Sequence, residues 1–326
     1  MRIFVTGATG VLGRRVVPLL VDAGHEVTAV GRTPDKRALL ESEGARAVTV
    51  DLFDPEAVRI AVGGADAILN LATAVPPAGL RMFLPASWHE MDRVRRQVST
   101  NLVDAALAGD TVERLIQESF APIYADGGQA WLDETAAVQP ARYNRSALDA
   151  EANAERFTQA GRIGVVLRFG MLYGLYDAAT DQLIDAIRRG WFPLFGQPEA
   201  YCSWAEHGDA AEAVVASLRV PAGIYNVVES QPLTRQDLGD GIARLLAVRP
   251  PRFLPPWAAN LGGVLGETLA RSLRISSRKL EQASGWAPRY RTALVGFAAI
   301  IAAEEEQKEV RRSFRGSGSV RRHARR

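Results

Sequence analysis

The chain has little of several residue types, and each shortage excludes something. It contains one cysteine, Cys202, among 326 residues, so an internal disulfide is excluded. A single cysteine suits a reducing compartment, and we expect a cytoplasmic protein. No run of 18 or more apolar residues occurs, so no membrane span is predicted. The histidines and the cysteine do not have the spacing of metal ligands, and no metal is expected.

Charge is unevenly distributed along the chain. The net charge is +2, but residues 311–326 carry seven arginines and no acidic residue, so the rest sums to 2 − 7 = −5. A mildly acidic body is unsuited to nucleic acid. The terminal arginines alternate with glycine and serine, and residues 306–326 are predicted to form a disordered Arg-rich tail.

Lysine is nearly absent from the sequence. Lys36, Lys279 and Lys308 are the three lysines among 39 basic residues. The interval between Lys36 and Lys279 therefore offers no amine for chemistry. A lysine-dependent catalytic motif in the middle of the chain would be incomplete.

Apolar β-branched runs alternate with amphipathic segments over the first half of the chain. The predicted strands cover residues 2–5, 26–30, 45–50, 67–71, 114–117 and 164–168. The predicted helices cover residues 11–23, 34–43, 55–62, 88–108 and 143–159. Strands separated by helices of this length form βαβ units and a parallel sheet. An apolar loop at residues 76–85 is predicted to cover a pocket.

This alternation predicts an α/β fold with a doubly wound parallel sheet of the Rossmann type. Residues 1–174 form the predicted nucleotide-binding domain, and the chain is expected to return to it near residues 208–227. Residues 175–305, where proline, tryptophan and phenylalanine are more frequent, form mainly a smaller C-terminal substrate-binding lobe.

Three glycines lie between the first strand and the first helix. Gly7 permits a tight turn, Gly10 lets the backbone approach a pyrophosphate, and Gly13 lets helix and strand pack closely. The helix N-terminus then offers free N–H groups to the phosphates. The predicted dinucleotide contacts of this turn are Gly7, Thr9, Gly10, Val11, Leu12 and Gly13.

The residue after the second strand predicts which dinucleotide is bound. Sites specific for NAD place an acidic residue there to bind the ribose 2′-hydroxyl. This sequence has Arg32 instead, with Lys36 and Arg37 close behind. Because a guanidinium pairs well with a phosphate, Arg32 is predicted to bind the 2′-phosphate of NADP(H).

Motifs spread over residues 1–300 resemble those of the extended short-chain dehydrogenases/reductases, which include nucleotide-sugar epimerases, dehydratases and ketoreductases. The glycine turn has the form found in that class, and the further matching segments are 51–52, 70–73, 167–174, 209–211, 225–227 and 285–290. The resemblance implies cofactor contacts from Asp51, Leu52, Leu71, Ala72, Thr73 and Phe169. It also implies substrate contacts from Tyr124 and Trp204.

The catalytic motif departs from the family pattern. The family uses Tyr-x-x-x-Lys, in which the tyrosine moves the proton and the lysine lowers its pKa, but here Ala147 follows Tyr143. Phe120 occupies the position of the polarising serine, and Ser119 lies one residue early. An arginine near Arg95 replaces the family's helix asparagine. Tyr143 and Ser119 remain the predicted catalytic residues.

These observations favour an atypical NADPH-dependent reductase that acts on a carbonyl of a small molecule. Large aromatic residues lie in the regions that the family uses for substrate, and if several of them line one cleft, the substrate is more aromatic than a nucleotide sugar; they are Trp88, Trp191, Phe192, Tyr201 and Trp204. One alternative is a nucleotide-sugar epimerase or dehydratase, and another is a non-catalytic NADP(H)-binding sensor. We expect a monomer or homodimer without nucleic-acid or membrane partners.

Overall fold

The computed structural model describes residues 1–76, 82, 84–255 and 257–307 of the chain. Its strands are β1 (Arg2–Thr6), β2 (Glu26–Val30), β3 (Arg46–Val48), β4 (Ala67–Asn70), β5 (Arg114–Phe120), β6 (Trp131–Leu132), β7 (Ile163–Phe169), β8 (Met171–Tyr173), β9 (Tyr201–Cys202), β10 (Trp204–Glu206), β11 (Gly223–Val227), β12 (Leu233–Thr234) and β13 (Arg274–Ile275). Its helices are α1 (Gly13–Asp22), α2 (Pro34–Ser42), α3 (Pro55–Val62), α4 (His89–Arg93), α5 (Ser99–Ala108), α6 (Ser146–Gln159), α7 (Ala178–Arg188), α8 (His207–Ala216), α9 (Arg235–Leu245), α10 (Ala258–Leu261), α11 (Gly263–Ala270), α12 (Arg278–Ser284) and α13 (293–307).

Seven of these strands form one parallel sheet in the order β3–β2–β1–β4–β5–β7–β11. The direction of strand addition reverses between β1 and β4. Ligands of doubly wound sheets bind at the carboxyl ends of the strands beside such a reversal. The predicted Rossmann-type α/β fold is therefore confirmed, and its crevice opens where the glycine turn leaves β1.

Helices cover both faces of the sheet because the strands are apolar on both faces. On one face the buried stripe of α1, formed by Val16, Val17 and Leu20, packs against Ile3 and Val5 of β1, with α8 alongside. On the opposite face α3, α5 and α6 pack over Phe4 and Ile68. These two cores hold the strands in register, and the site lies at the carboxyl ends of these strands.

A smaller lobe follows the sheet and has its own core. Its strands pair in short two-stranded sheets, β8 with β10 and β9 with β12. Tyr173, Phe192, Trp204 and Phe297 pack together there, with the rings of Tyr173 and Phe297 stacked at 4.6 Å. Between these lobe elements, α8 and β11 return to the large sheet, where β11 pairs with β7.

Two predicted helices differ from the structure near the site. The predicted helix over 88–108 is divided by a π-helical turn at Val94–Val98, between α4 and α5. The helix predicted over 143–159 begins at Ser146, because the residues before it close tighter turns, such as the bond from the Ala147 N–H to the Asn144 carbonyl. Tyr143 therefore lies in a turn before α6.

Part of two sequence predictions lies outside the described residues. These are most of the 76–85 loop, namely residues 77–81 and 83, and residues 308–326 of the predicted tail. Residues 306 and 307 continue α13 as helix. Among the helices that the structure describes, none combines the length and the apolar character that a bilayer crossing requires.

Candidate active site at the carboxyl edge of the sheet

The glycine turn has the shape that a pyrophosphate site requires. Gly7 has a φ of +67°, and a Cβ there would lie 2.2 Å from the Leu71 carbonyl oxygen. A Cβ on Gly13 would lie 2.2 Å from the Gly7 carbonyl oxygen, so Gly13 lets α1 approach β1. No side chain caps the N-terminus of α1, which leaves N–H groups for an anion.

A ladder of buried amides crosses the strands below this turn. The Thr6 hydroxyl donates to Asn70 Oδ1 at 2.6 Å, and Asn70 Nδ2 donates to Gln117 Oε1 at 2.9 Å. Gln117 Nε2 in turn donates to the Glu118 carbonyl at 2.8 Å. These bonds link the side chains of β1, β4 and β5 at the strand reversal.

Residues after β2 and β3 form the side of the crevice where the adenosine is expected. Arg32 is exposed and has no hydrogen bond or ion pair among the described residues, whereas Arg37 donates to the Thr49 hydroxyl at 2.8 Å. The Asp51 carboxylate accepts from the Phe53 N–H at 2.9 Å. Arg32 is thus the guanidinium at this side that is available to a ligand.

The other predicted cofactor residues divide by exposure. Thr73 and Val11 are exposed, and Thr9, Leu52 and Ala72 are half-buried. Leu12, Leu71 and Phe169 are buried in the core, with Phe169 2% exposed at the end of β7. Of the buried three, Leu71 supplies the carbonyl that faces Gly7. The cofactor roles of these residues remain predictions.

Tyr143 is enclosed in an apolar cluster. Its ring packs on Trp88 with centroids 4.6 Å apart, beside Met91 and Leu265. Its hydroxyl is buried and makes no hydrogen bond of good geometry in the described part of the chain, although the Thr268 hydroxyl lies near it. Burial raises the pKa of Tyr143 to about 12, and the Thr268 hydroxyl and the positive charges of Arg271 and Arg95 offset this only in part.

The position that a family lysine would occupy gives Tyr143 no assistance. Ala147 is completely buried in the first turn of α6, so its environment is that of a packing residue. A tyrosine with a raised pKa and no cation at hydrogen-bonding distance is a poor proton donor and a poor base at neutral pH. The structure thus contains the tyrosine of the motif but not the lysine that would lower its pKa.

Ser119 belongs to a buried ion-pair network. Its hydroxyl donates to Glu151 Oε1 at 2.6 Å, and Arg168 donates to both oxygens of the same carboxylate, at 2.8 and 2.7 Å. Burial opposes the charge of Arg168, but the Glu151 carboxylate outweighs it and raises the pKa of the guanidinium. Ser119 is a residue of β5 and is 0% exposed, and its hydroxyl bonds to Glu151 of α6. Its catalytic role remains a prediction, and the geometry gives its hydroxyl a structural partner.

The two predicted substrate residues are also enclosed. Tyr124 is 0% exposed, donates its hydroxyl to Asn226 Oδ1 at 2.8 Å and lies under the Arg168 guanidinium. Trp204 is 4% exposed in the lobe core against Tyr173 and Phe297. A substrate could reach either ring only after side chains move, so their substrate roles also remain predictions.

A second buried ion pair lies at the carboxyl end of β5. Arg95, on the π-helical turn, donates to Glu118 Oε1 at 3.0 Å, and the two side chains are 3% and 10% exposed. Arg95 Nε and Glu118 Oε2 have no hydrogen-bond partner among the described residues. Each such buried atom costs about 1–3 kcal/mol, so these atoms are candidates to bind a ligand.

Sequence reasoning missed the carboxylates of both pairs. Glu118 and Glu151 belong to none of the recognised motifs, and Arg95 was identified only as a replacement for the family's asparagine. A signal was present, since Gln117, Glu118 and Ser119 form a polar run at the end of an otherwise apolar strand. Polar residues on a fully buried strand need partners, and the partners come from distant helices.

Known proteins are similar to this chain in sequence. A family model described as the NAD dependent epimerase/dehydratase family matches residues 3–227. A "3-diazoavenalumate denitrifying reductase" from Streptomyces sp is 31% identical over 299 residues, covering 88% of this chain and 96% of the relative. A "4-hydroxy-2-methyl-3-oxo-4-farnesyl-3,4-dihydroquinoline-1-oxide ketoreductase" from Stigmatella aurantiaca is 26% identical over 284 residues, covering 84% and 82%.

Solved structures share the fold over nearly the whole chain. The dTDP-glucose 4,6-dehydratase DesIV from Streptomyces venezuelae, solved with NAD, has a TM-score of 0.74 at 21% identity, with 95% of this chain and 98% of that chain covered. At this identity the likeness shows the fold. The family match and the relatives named as reductases confirm the predicted oxidoreductase of the extended short-chain dehydrogenase/reductase type.

Proposed function

The chain belongs to the NAD dependent epimerase/dehydratase family, and from that premise we propose that it is an NADP(H)-dependent reductase of a small aromatic compound. The proposed reaction delivers hydride to the acceptor without a proton from Tyr143. The observation that carries this proposal is the environment of Tyr143. Its hydroxyl is buried, its pKa is about 12, and alanine stands at the position of the motif's lysine.

The chain's own groups fit a phosphorylated dinucleotide. The turn of Gly7, Gly10 and Gly13 gives room for the pyrophosphate at the uncapped N-terminus of α1. Arg32, exposed and without a protein partner among the described residues, supports a 2′-phosphate and therefore NADP(H). When bound, the nicotinamide supplies a hydride. The ladder through Asn70 holds the crevice in which acceptor and cofactor would be aligned.

An acceptor that requires no protein acid fits this site best. Hydride addition to the ring carbon of an aryl diazonium breaks the carbon–nitrogen bond, and dinitrogen leaves with the bonding electrons. Carbon gains the hydride, and no oxygen has to be protonated. The relative named as a denitrifying reductase of a diazo compound supports this acceptor class for the present chain.

Carbonyl reduction is the second candidate, and the relative named as a ketoreductase favours it. A carbonyl oxygen needs a proton as carbon takes up hydride, and here the proton would come from water or from a hydroxyl of the substrate. Epimerisation and dehydration begin by oxidising a sugar hydroxyl, which needs a base. Tyr143 with a pKa of about 12 and no lysine is poorly suited to that step.

Acceptor assays test the reaction. We expect the protein to oxidise NADPH with an aryl diazonium salt and to release dinitrogen in equal amount, with deuterium from [4-²H]NADPH at the ring carbon. A Gly10→Trp variant, which should exclude the pyrophosphate, gives the uncatalysed background. Cofactor binding without oxidation of NADPH by any diazonium, quinone or aromatic ketone would contradict the proposal and favour a sensor.

Cofactor preference is tested by replacing Arg32. The intact protein should bind NADPH at least about tenfold more tightly than NADH, or roughly 1.4 kcal/mol, and Arg32→Ala should remove most of this preference. Titrations followed by nucleotide fluorescence measure both constants. Arg59→Ala, which removes an exposed arginine paired with Glu56 on α3, is the matched control. Equal affinities in the intact protein would refute the role of Arg32.

A further inference from the structure

The Arg95–Glu118 pair is only partly satisfied although it is buried. One contact of 3.0 Å joins Arg95 Nη2 to Glu118 Oε1. The Nε–H donor and the Oε2 acceptor remain without partners in the described part of the chain. A donor and an acceptor that are buried together and unpaired are complementary to a group that both accepts and donates a hydrogen bond.

The surroundings of the pair are aromatic and apolar. Trp88, Met91 and Arg95 follow one another at spacings of three and four residues, so they lie on one side of the helical segment, and all three are buried. Trp88 packs on the ring of Tyr143, and the charge of Arg95 acts on the Tyr143 hydroxyl. The polar atoms therefore lie at the end of an aromatic cluster.

The π-helical turn explains how a charged residue comes to lie in this cluster. Val94–Val98 has the wider turn, and Arg95 is buried there together with Val94 and Val98. A π turn changes the direction of the side chains that follow, and such turns are frequent at functional sites. The next residue, Arg96, is exposed and pairs with Asp149 on the surface.

We propose that Arg95 and Glu118 bind a phenolic hydroxyl of the aromatic acceptor. The Arg95 Nε–H donates to the phenol oxygen, and the phenol O–H donates to Glu118 Oε2. A carboxylate would satisfy Arg95 but would be repelled by Glu118, and a cation would be repelled by Arg95. The inference rests on the proposed function for its assignment of this ligand as the substrate.

Binding of simple probes tests the site without any turnover. The probes are 2-naphthol and 2-methoxynaphthalene, which share a ring system and differ in the O–H donor. Calorimetric titration of the protein without added nucleotide should show at least about tenfold tighter binding of 2-naphthol, or roughly 1.4 kcal/mol. Arg95→Met and Glu118→Gln should each reduce this preference to below about threefold while leaving the affinity for 2-methoxynaphthalene unchanged.

Arg96→Met is the matched control, because it removes an exposed arginine from the same turn and should keep the full preference. NADPH binding by each variant verifies that the fold is intact. Equal binding of the two probes, no binding of 2-naphthol by the intact protein, or a preference that survives in Arg95→Met would overturn the inference. NADPH oxidation is measured in a separate experiment. If the proposed reaction fails, the probe titrations still test the Arg95–Glu118 site independently.

Discussion

Two buried arginine–glutamate pairs lie near the carboxyl end of β5 and differ in how many of their polar atoms form hydrogen bonds. In the pair of Arg168 and Glu151, both carboxylate oxygens accept bonds from the guanidinium, and the Ser119 hydroxyl adds a third bond. In the pair of Arg95 and Glu118, a single contact is formed and two atoms remain unpaired in the described structure. Both pairs are almost completely removed from solvent.

From this difference we infer that the pair of Arg168 and Glu151 is structural and that the pair of Arg95 and Glu118 binds a ligand. Removing two charges from water has a desolvation cost. The attraction within a buried ion pair offsets this cost only when the geometry is good and added hydrogen bonds satisfy the remaining atoms. The pair with Arg168 comes closer to that condition, because three hydrogen bonds reach its carboxylate although Arg168 Nη1 has no partner among the described residues, and it joins β5, α6 and β7. The pair with Arg95 does not meet that condition, and it lies at the carboxyl edge where ligands of this fold bind. Unsatisfied buried polar atoms at this position need an explanation, and the proposed ligand site supplies one.

The largest expected effect is on the pair of Arg168 and Glu151. Glu151→Gln should lower the free energy of unfolding by about 3–5 kcal/mol, because it leaves the buried Arg168 guanidinium without its countercharge. Urea denaturation measures the change. Glu155→Gln, an exposed position one turn along α6, is the control and should change stability by less than about 0.5 kcal/mol. A loss below about 1 kcal/mol for Glu151→Gln would remove the distinction drawn between the pairs.

Replacing both members of the unsatisfied pair should have the opposite sign. The double variant Arg95→Met with Glu118→Met should leave the free energy of unfolding unchanged or raise it by about 1–4 kcal/mol, because apolar residues of similar size remove the unpaired atoms. Acceptor binding should be lost at the same time.

The corresponding double variant of Arg168 and Glu151 serves as the comparison. It should be less stable than the intact protein, since it leaves the Ser119 hydroxyl buried without its acceptor and removes the guanidinium over Tyr124. If both double variants lost equal stability in the same denaturation assay, the two pairs would be structurally equivalent.

The smallest effect is expected at Tyr143. Tyr143→Phe should raise the free energy of unfolding by about 1 kcal/mol, because a buried hydroxyl without a partner is removed. Turnover should stay within about 10² of the intact enzyme, the lower end of what general acid catalysis contributes. Tyr124→Phe is the matched control and should destabilise by about 1 kcal/mol, since its hydroxyl donates to Asn226.

Steady-state kinetics and thermal unfolding of these two tyrosine variants separate the hypotheses. A loss of turnover beyond about 10⁴ in Tyr143→Phe, with NADPH still bound, would make Tyr143 the essential acid. Arg95, whose charge acts on this hydroxyl, would then be the candidate that replaces the lysine.

The fold followed from the sequence because its signals are local. A strand such as β1 has an apolar run, and the three glycines after it have fixed steric roles that neighbouring residues impose. The departure at Ala147 was equally visible, since Tyr143 and Ala147 are only four residues apart in the sequence. The starts of helices were predicted less accurately, and α6 begins at Ser146 and not at residue 143. The reason is that tight turns and first helical turns contain the same residue types.

The site was predicted less completely because its contacts join distant parts of the chain. The sequence by itself determined a Rossmann-type nucleotide fold, an arginine where an acid would bind the ribose, and a catalytic motif without its lysine. Only the tertiary structure decided that Tyr143 is buried and that Glu118 meets Arg95. Partners 23 residues apart, or 32 for Ser119 and Glu151, leave no periodic trace in the sequence. The packing of helices on the sheet selects them, because a buried polar group must find its partner wherever the fold provides one.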